Sequence, residues 1–334
     1  VRVLTVAPGP SFSVADVHRG WVKAFEQLGV DVVDFNLGDA LTFYERSLEA
    51  LKIGRGEQAA HLASRALRAM LYDFWPDWLF ITSGFFVAPL VYEIARKRGV
   101  KIALLCTESP YEDDQQVKRA PFVDLMLTND PTNLDRFREY CPAEYVPHAY
   151  DPDIHHPGTP EPDLACDFAF VGTGYPSRIE FFEKVDWTGL DVTLAGNWPI
   201  DDTSPLAPFT LHQAGECVDN TDAARLYRSA KVSANLYRRE AERPELEHGY
   251  ALGPRDVEMA ACGLFYLRDS RPESDELLPM LPVIGTPHEF GEQVRWWATH
   301  DREREAAAAM ARAALADRTF DRNVRTFLRL TESI

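Results

Sequence analysis

The sequence predicts an α/β protein made of two parallel-sheet domains joined by a hinge. Three observations carry that expectation. Apolar, β-branched runs alternate with helical patterns over 1–149, a proline-rich stretch interrupts at 150–163, and the alternation resumes from 167. Strands separated by helices form right-handed βαβ units, which require a parallel sheet covered on both faces. Ligands of such open sheets bind beyond the carboxyl ends of the strands. Two such domains in tandem are expected to face each other across an interdomain cleft, with the chemistry between them.

The first half reads as follows. "VRVLTVA" (1–7) is a buried strand, and a helix follows from Val14 to Leu28, with Val14, Val17, Trp21, Phe25 and Leu28 at helical spacing. "VDVVDF" (30–35) is the second strand, and 39–74 holds two helices. "DWLFIT" (77–82), "KIALLC" (101–106) and "DLMLTN" (124–129) are strands, separated by helices over 86–98 and 131–140, and "AEYVPHA" (143–149) closes the series. The next segment, "YDPDIHHPGTPEPD", has four prolines and no apolar periodicity, which predicts a linker. Its His155 and His156 have no ligand-spaced partner nearby, so a solvated linker is expected rather than a metal site.

In the second half "DFAFVG" (167–172), "LDVTLAG" (190–196), "KVSANLY" (231–237), 264–268 and "LPVIG" (281–285) are expected strands. Helices are expected over 175–184, 222–230, 254–262, 287–299 and 301–316, and the terminal segment forms one more amphipathic helix. The expected division is 1–150, hinge 151–164, 165–316, and a terminal helix over 317–334.

Bulk composition narrows the class. With 334 residues, 46% apolar and 26% charged, the chain suits two globular domains. No run approaches the roughly 20 apolar residues of a membrane span. The start reads as a strand, not a signal peptide. Five widely spaced cysteines without a C-x-x-C pair argue against a disulfide framework or structural zinc, and suit free thiols in a cytoplasmic protein. The net charge of −17 disfavours nucleic acid and anionic lipid at long range, though a local basic pocket can override that average.

Candidate site residues were sought just beyond each strand. After the first comes "PGPSFS" (8–13), where Ser11 and Ser13 open onto a helix N-terminus suited to anions, with Asp16 and His18 in the turns beyond. His18 flanks the apolar face, so a half-buried core histidine competes with a catalytic base. After the fourth strand comes "TESPYEDD" (107–114). Glu108 stands where a base would sit, Tyr111 can stack on a ring, and Asp113–Asp114 suits a helix start better than a metal. In "VGTGYPSR" (171–178), Gly172, Thr173 and Gly174 permit close backbone approach, and Arg178 lies in the following helical turn. Asn197 follows the next strand, and "NLYRRE" brings Asn235, Tyr237 and Arg238 to another carboxyl end.

The stretch "GPRDVEMAACG" (253–263) begins a helix with Pro254 and ends it at Gly263. Arg255 in its first turn suits a diphosphate, and Glu258 one turn on can accept from two vicinal ribose hydroxyls. The alternative is a surface i,i+3 ion pair worth a few tenths of a kcal/mol. Two neighbouring strand ends with similar chemistry favour the ligand.

"LYRSAKVSANLYRRE", "RDVEMAACGLFYLRDSRPESDELLP" and "TFDRNVRTFL" resemble the C-terminal half of group-1-like GT-B glycosyltransferases, with the spore-maturation CgeB-like family the nearest set. "GPSFS", "TNDPTNLDRF" and "VPHAYDPDIHHP" fit that family's first domain and hinge more loosely. The resemblance implies two facing Rossmann-like domains, a nucleotide-sugar donor held by the second, an acceptor held by the first, and a final helix over 317–334 that crosses back to the first domain. It implies a ribose role for Glu258 and diphosphate roles for Arg255, Arg238 and the Gly172–Gly174 loop. Related retaining enzymes have a second glutamate eight residues earlier, where this chain has Tyr250, which leaves the stereochemical outcome open.

The resulting expectation is a metal-independent glycosyltransferase with no resident cofactor and a UDP-sugar as the default donor. Arginines and helix N-termini would stabilise the departing diphosphate. Glu108, Asp16 or His18 would serve as base. An epimerase or hydrolase of the same architecture and a non-catalytic nucleotide-binding module are the rivals, and a modified DNA base is a distant acceptor option.

Overall fold

The computed structural model describes residues 1–9, 14–52, 57–211, 218–241 and 248–334. Ser11 and Ser13 lie outside the described residues, as does Cys217. The chain divides into two compact units, one of Val1–Pro147 with Phe320–Ile334, the other of His148–Thr319.

The first unit runs β1 (Arg2–Val6), α1 (Val14–Gln27), β2 (Asp31–Phe35), α2 (Leu37–Ala50), α3 (Glu57–Asp73), β3 (Trp78–Thr82), α4 (Pro89–Lys97), β4 (Lys101–Cys106), α5 (Asp113–Gln116), β5 (Leu125–Thr128), α6 (Leu134–Arg138) and β6 (Ala143–Tyr145). Its six-stranded sheet has the order β2-β1-β3-β4-β5-β6, with every pair parallel. The order reverses after β1, because β2 pairs on one side of it and β3 on the other. All five residues of β3 are buried, as a central strand covered on both faces requires.

The second unit holds β7 (Cys166–Val171), α7 (Pro176–Glu183), β8 (Val192–Ala195), α8 (Asn220–Ser229), β9 (Ala230–Asn235), α9 (Pro254–Cys262), β10 (Phe265–Arg268), α10 (Pro272–Leu277), α11 (Pro287–Thr299) and α12 (Asp301–Ala314). The parallel four-stranded sheet has the order β10-β9-β7-β8. Phe168, Phe170, Phe182, Trp198 and Phe290 fill its core. The expected strand over 281–285 is reduced to a single bridge from Val283 to Arg268. Pro282 removes a backbone donor within that stretch, and Pro279 lies just before it.

The last helix, α13 (Phe320–Thr331), belongs to the first unit and packs against α1. Its buried residues Phe320, Val324 and Phe327 recur every three or four positions, which makes one apolar stripe. A Cβ at Gly20 of α1 would run into the Phe320 ring, so the glycine lets the two helices approach. Phe327 meets Phe25, Trp78 and Phe80 at centroid distances of 5.6, 5.5 and 5.4 Å, all edge to face.

The proline-rich segment is exposed over much of its length, 156–160 included, but it is anchored at several points. His155 is only 2% exposed. Arg225 of α8 forms a two-pronged pair with Glu161 at 2.7 and 2.6 Å, Arg228 donates to the Ile154 carbonyl at 3.1 Å, and Ser229 accepts from the Glu161 N–H at 2.9 Å. Side chains of a neighbouring helix therefore fix the segment, and such contacts leave no apolar period in the sequence.

Burial holds the His155 pKa down to about 4, against a smaller opposing pull from Asp151. The unfolded chain takes up this proton near pH 6.5 and the native chain does not. The associated stability is complete above pH 6.5 and is lost as pH falls toward 4, by roughly 2–3 kcal/mol. His155→Leu should flatten that part of a melting-temperature profile recorded between pH 7 and 4; a parallel profile would refute the assignment.

Among the described residues no helix is long and apolar enough to cross a membrane. Cys106, Cys141, Cys166 and Cys262 are buried and free.

Candidate functional site

The strongest convergence of predicted residues lies at the carboxyl ends of β7 and β9. Arg255, in the first turn of α9, donates from Nε to the Val171 carbonyl at 2.7 Å and from Nη1 to Asn235 Oδ1 at 2.6 Å. Its guanidinium lies 4.7 Å from the Phe170 ring centre. Arg255 thus bridges the ends of two adjacent strands, which a surface ion pair with Glu258 would not do.

The glycines of "VGTG" and Gly196 have a steric reason. Gly172 (φ +148°) and Gly196 (φ +115°) adopt conformations that suit glycine. A Cβ at Gly172 would strike the Arg255 guanidinium, one at Gly196 would lie 2.6 Å from the Gly172 carbonyl oxygen, and one at Gly174 would lie 2.6 Å from the Trp198 ring. The loop therefore wraps tightly on the next strand end, and Gly174 N–H donates to the Asn197 carbonyl at 2.8 Å. Gly196→Ala meets immovable backbone and an unfavourable φ together, so it should cost about 1–3 kcal/mol and displace the Gly172 loop. Its melting temperature is the check, and an unchanged value would show the close approach to be dispensable.

Arg178 departs from the expected role at an anion. It is buried, with Nε and Nη2 on the Leu236 carbonyl at 3.0 and 2.7 Å and Nη1 on the Thr173 carbonyl at 2.8 Å. It ties the Gly172 loop to the end of β9 from below. Arg238 is half-buried, with its guanidinium 5.8 Å from the Tyr175 ring centre.

Asn235 and Tyr237 are buried beside α9. Both reach Asp256, a fully buried carboxylate that the sequence reading passed over. Asp256 Oδ2 accepts from Asn235 Nδ2 at 2.5 Å, Tyr237 Oη at 2.6 Å and the Gly253 N–H at 2.9 Å. Burial raises its pKa, and the hydrogen bonds from Tyr237 and Gly253, the Arg255 charge and the Asn235 hydrogen bond offset part of that rise. The signal available in the sequence was an acidic residue three positions after Gly253, the spacing of a capping box. The positive end of α9 is thus already partly neutralised from within the protein.

Glu258 lies one turn beyond Arg255 and is half-buried. Its charge reaches Tyr227 of α8, whose hydroxyl pKa is raised first by burial and then by Glu258, with Arg255 pulling it down. Tyr227, also missed from the sequence, therefore feels the charge of both α9 residues of interest. Glu273 is another buried carboxylate. It accepts from Leu252 N–H at 2.7 Å and pairs with Arg318 at 2.6 Å, fixing the approach to α9.

In the first unit the predicted residues are held by local partners. Asp16 forms an ion pair with Arg19 on α1. His18 is buried, with Nδ1 2.9 Å from Thr82 Oγ1 and Nε2 2.8 Å from Asp34 Oδ1, so both ring nitrogens are engaged at strand ends. Burial works to raise the Asp34 pKa, but hydrogen bonding and charge from His18, with Thr5 behind, hold it below the usual value. Glu108 is half-buried beyond β4, and Tyr111 is buried. Asp113 accepts from Ser109 and Asn133 at 2.6 and 2.7 Å, and Asp114 pairs with Arg136. These are structural contacts, and among the described residues no group of three His, Cys, Asp or Glu could hold a metal.

Comparisons with known proteins agree with this architecture. The chain aligns with HepE from Anabaena, whose structure contains UDP-glucose, at 11% identity and a TM-score of 0.61, covering 98% of this chain and 99% of that one. It aligns with sucrose-phosphate synthase from Thermosynechococcus elongatus at 9% identity and a TM-score of 0.67, covering both chains fully. A putative UDP-N-acetylglucosamine 2-epimerase from Listeria monocytogenes gives 13% identity and a TM-score of 0.58 over 97% and 94%. No curated protein matches the chain. Residues 178–329 match the family described as glycosyl transferase-like, and the whole chain has the GT-B fold of two Rossmann-like domains.

Proposed function

We propose that the chain transfers a sugar from a nucleoside-diphosphate sugar, with UDP as the default carrier, to an acceptor hydroxyl without a metal ion. The observation that carries this reading is the meeting of Arg255, the Gly172 loop and the first turns of α9 at the ends of β7 and β9. The family match over 178–329 spans β9, α9 and Arg255 and begins after β7 and the Gly172 loop. Arg255 and Arg238 supply positive charge for the diphosphate, with Arg178 holding the loop beneath it. Glu258 accepts from the ribose hydroxyls, a task that demands acceptors only.

Bond cleavage leaves negative charge on the diphosphate, and fixed guanidinium groups stabilise it without reorganisation. The acceptor hydroxyl needs a base if the reaction inverts. Glu108, Asp16 and His18 are the proposed candidates for that base. The spore-maturation CgeB-like group remains the proposed subfamily.

A second reading, sugar epimerisation or hydrolysis, draws on the likeness to the Listeria epimerase. Calorimetry against UDP, GDP, TDP and ADP tests the donor. Incubation of the UDP-sugar with and without a panel of hydroxyl acceptors then separates the readings. Donor consumption only with acceptor supports transfer. Consumption without acceptor supports the second reading, and affinity without turnover would mark a binding module.

A further inference from the structure

We propose that Asp256 is a positioning residue, which orients Arg255 through the side chain of Asn235. The inference rests on the reading of Arg255 as a diphosphate contact. A guanidinium has donors only, so Arg255 Nη1 at 2.6 Å requires an acceptor from Asn235. The Asn235 amide has one oxygen and one NH2, and a half-turn about its terminal bond would present the NH2 instead. The other end of the amide decides which arises.

Asp256 Oδ2 already accepts from the Gly253 N–H at 2.9 Å, a backbone donor that cannot change its role. Tyr237 Oη lies on the same oxygen at 2.6 Å. The group facing Asn235 at 2.5 Å is therefore an acceptor, and the amide must turn its NH2 toward it. That leaves Oδ1 for Arg255. All three side chains are linked in a line, and Asn235 and Asp256 are 1% and 0% exposed, so water does not substitute for the bond between them. Remove the carboxylate and the amide is free to flip, presenting donors to a donor.

A double-mutant cycle on UDP affinity tests this. Asp256→Ala and Asn235→Ala should each weaken binding about tenfold, and the double variant should also lose about tenfold, not a hundredfold, because both act through one bond to Arg255. Additive losses, or full affinity in Asp256→Ala, would overturn the proposal. Asp256→Asn keeps an oxygen for the three donors and should restore wild-type affinity.

Should Asp256→Ala not fold, Asn235→Asp makes the decision. Its carboxylate still faces Arg255 but meets Asp256 as a second acceptor. Affinity relative to wild type should fall at pH 8 and recover as the pH is lowered and the two carboxylates come to share a proton. Affinity equal to or above wild type at pH 8 and at lower pH alike would show that Asp256 does not act through residue 235. The Arg255 Nε–H resonance gives a ligand-independent readout, and it should shift in Asp256→Ala and not in Asp256→Asn. If the wild type binds no nucleoside diphosphate, the donor reading fails, while this resonance still decides the relay.

Discussion

Replacing Glu258 by alanine is expected to weaken nucleoside-diphosphate binding by at least about a hundredfold while leaving the melting temperature of the unliganded protein nearly unchanged. Hydrogen bonds to a charged acceptor contribute about 1.5–3 kcal/mol each, so two ribose hydroxyls amount to about 3–6 kcal/mol. Each factor of ten in affinity corresponds to about 1.4 kcal/mol. Glu258 is half-buried on a helix whose capping is done by Asp256, so its removal leaves the α9 start intact. Calorimetry against UDP with the wild type as reference is the measurement. Equal affinity in the two proteins would remove Glu258 from the donor site and leave it as a neighbour of Tyr227.

Phe327→Ala is expected to destabilise the first unit by about 3–5 kcal/mol, the usual cost of emptying a buried aromatic site. The ring is fully buried and touches three others from α1 and β3. Trp78 and Phe80 are held by the backbone of the sheet and Phe25 by α1, which limits collapse into the void. Urea unfolding followed by fluorescence of the tryptophans reads it, since Trp78 lies against the lost ring. A shift of less than about 1 kcal/mol, the scale of an ordinary surface change, would mean that the last helix is not held by this cluster.

The α9 helix shows how far sequence reasoning reached. Pro254 at its start and Gly263 at its end, with φ +80°, gave its bounds as 254–262, as observed. Both signals are local, since they depend on the backbone angles of single residues. Arg255 was picked out by its place in the first turn, and Asn235 by its place at a strand end. Their direct bond was not legible, because the two residues are brought together only when β9 and α9 lie side by side. Asp256 was missed for the same reason. An acid in a first helical turn looks like ordinary dipole complementarity, and only burial turns it into the acceptor for three donors.

Arg178 shows a second limit of the sequence. Its position in a first turn after a glycine loop suggested a ligand, and the structure shows that its guanidinium also donates to the carbonyls of Thr173 and Leu236. Counting arginines near strand ends does not separate those that bind from those that brace.

By itself the sequence determined the alternation of strands and helices and the break into two parallel-sheet halves, since these follow from residue periodicity and from proline and glycine placement along a short stretch of chain. Only the tertiary structure decided that the proline-rich segment is pinned by Arg225 and Arg228, that α13 sets Phe327 among Phe25, Trp78 and Phe80, and that Asp256, Asn235 and Arg255 form one line of hydrogen bonds. Those facts depend on pairs of residues from 20 to more than 100 positions apart, whose meeting is set by packing across elements and not by any local preference of the chain.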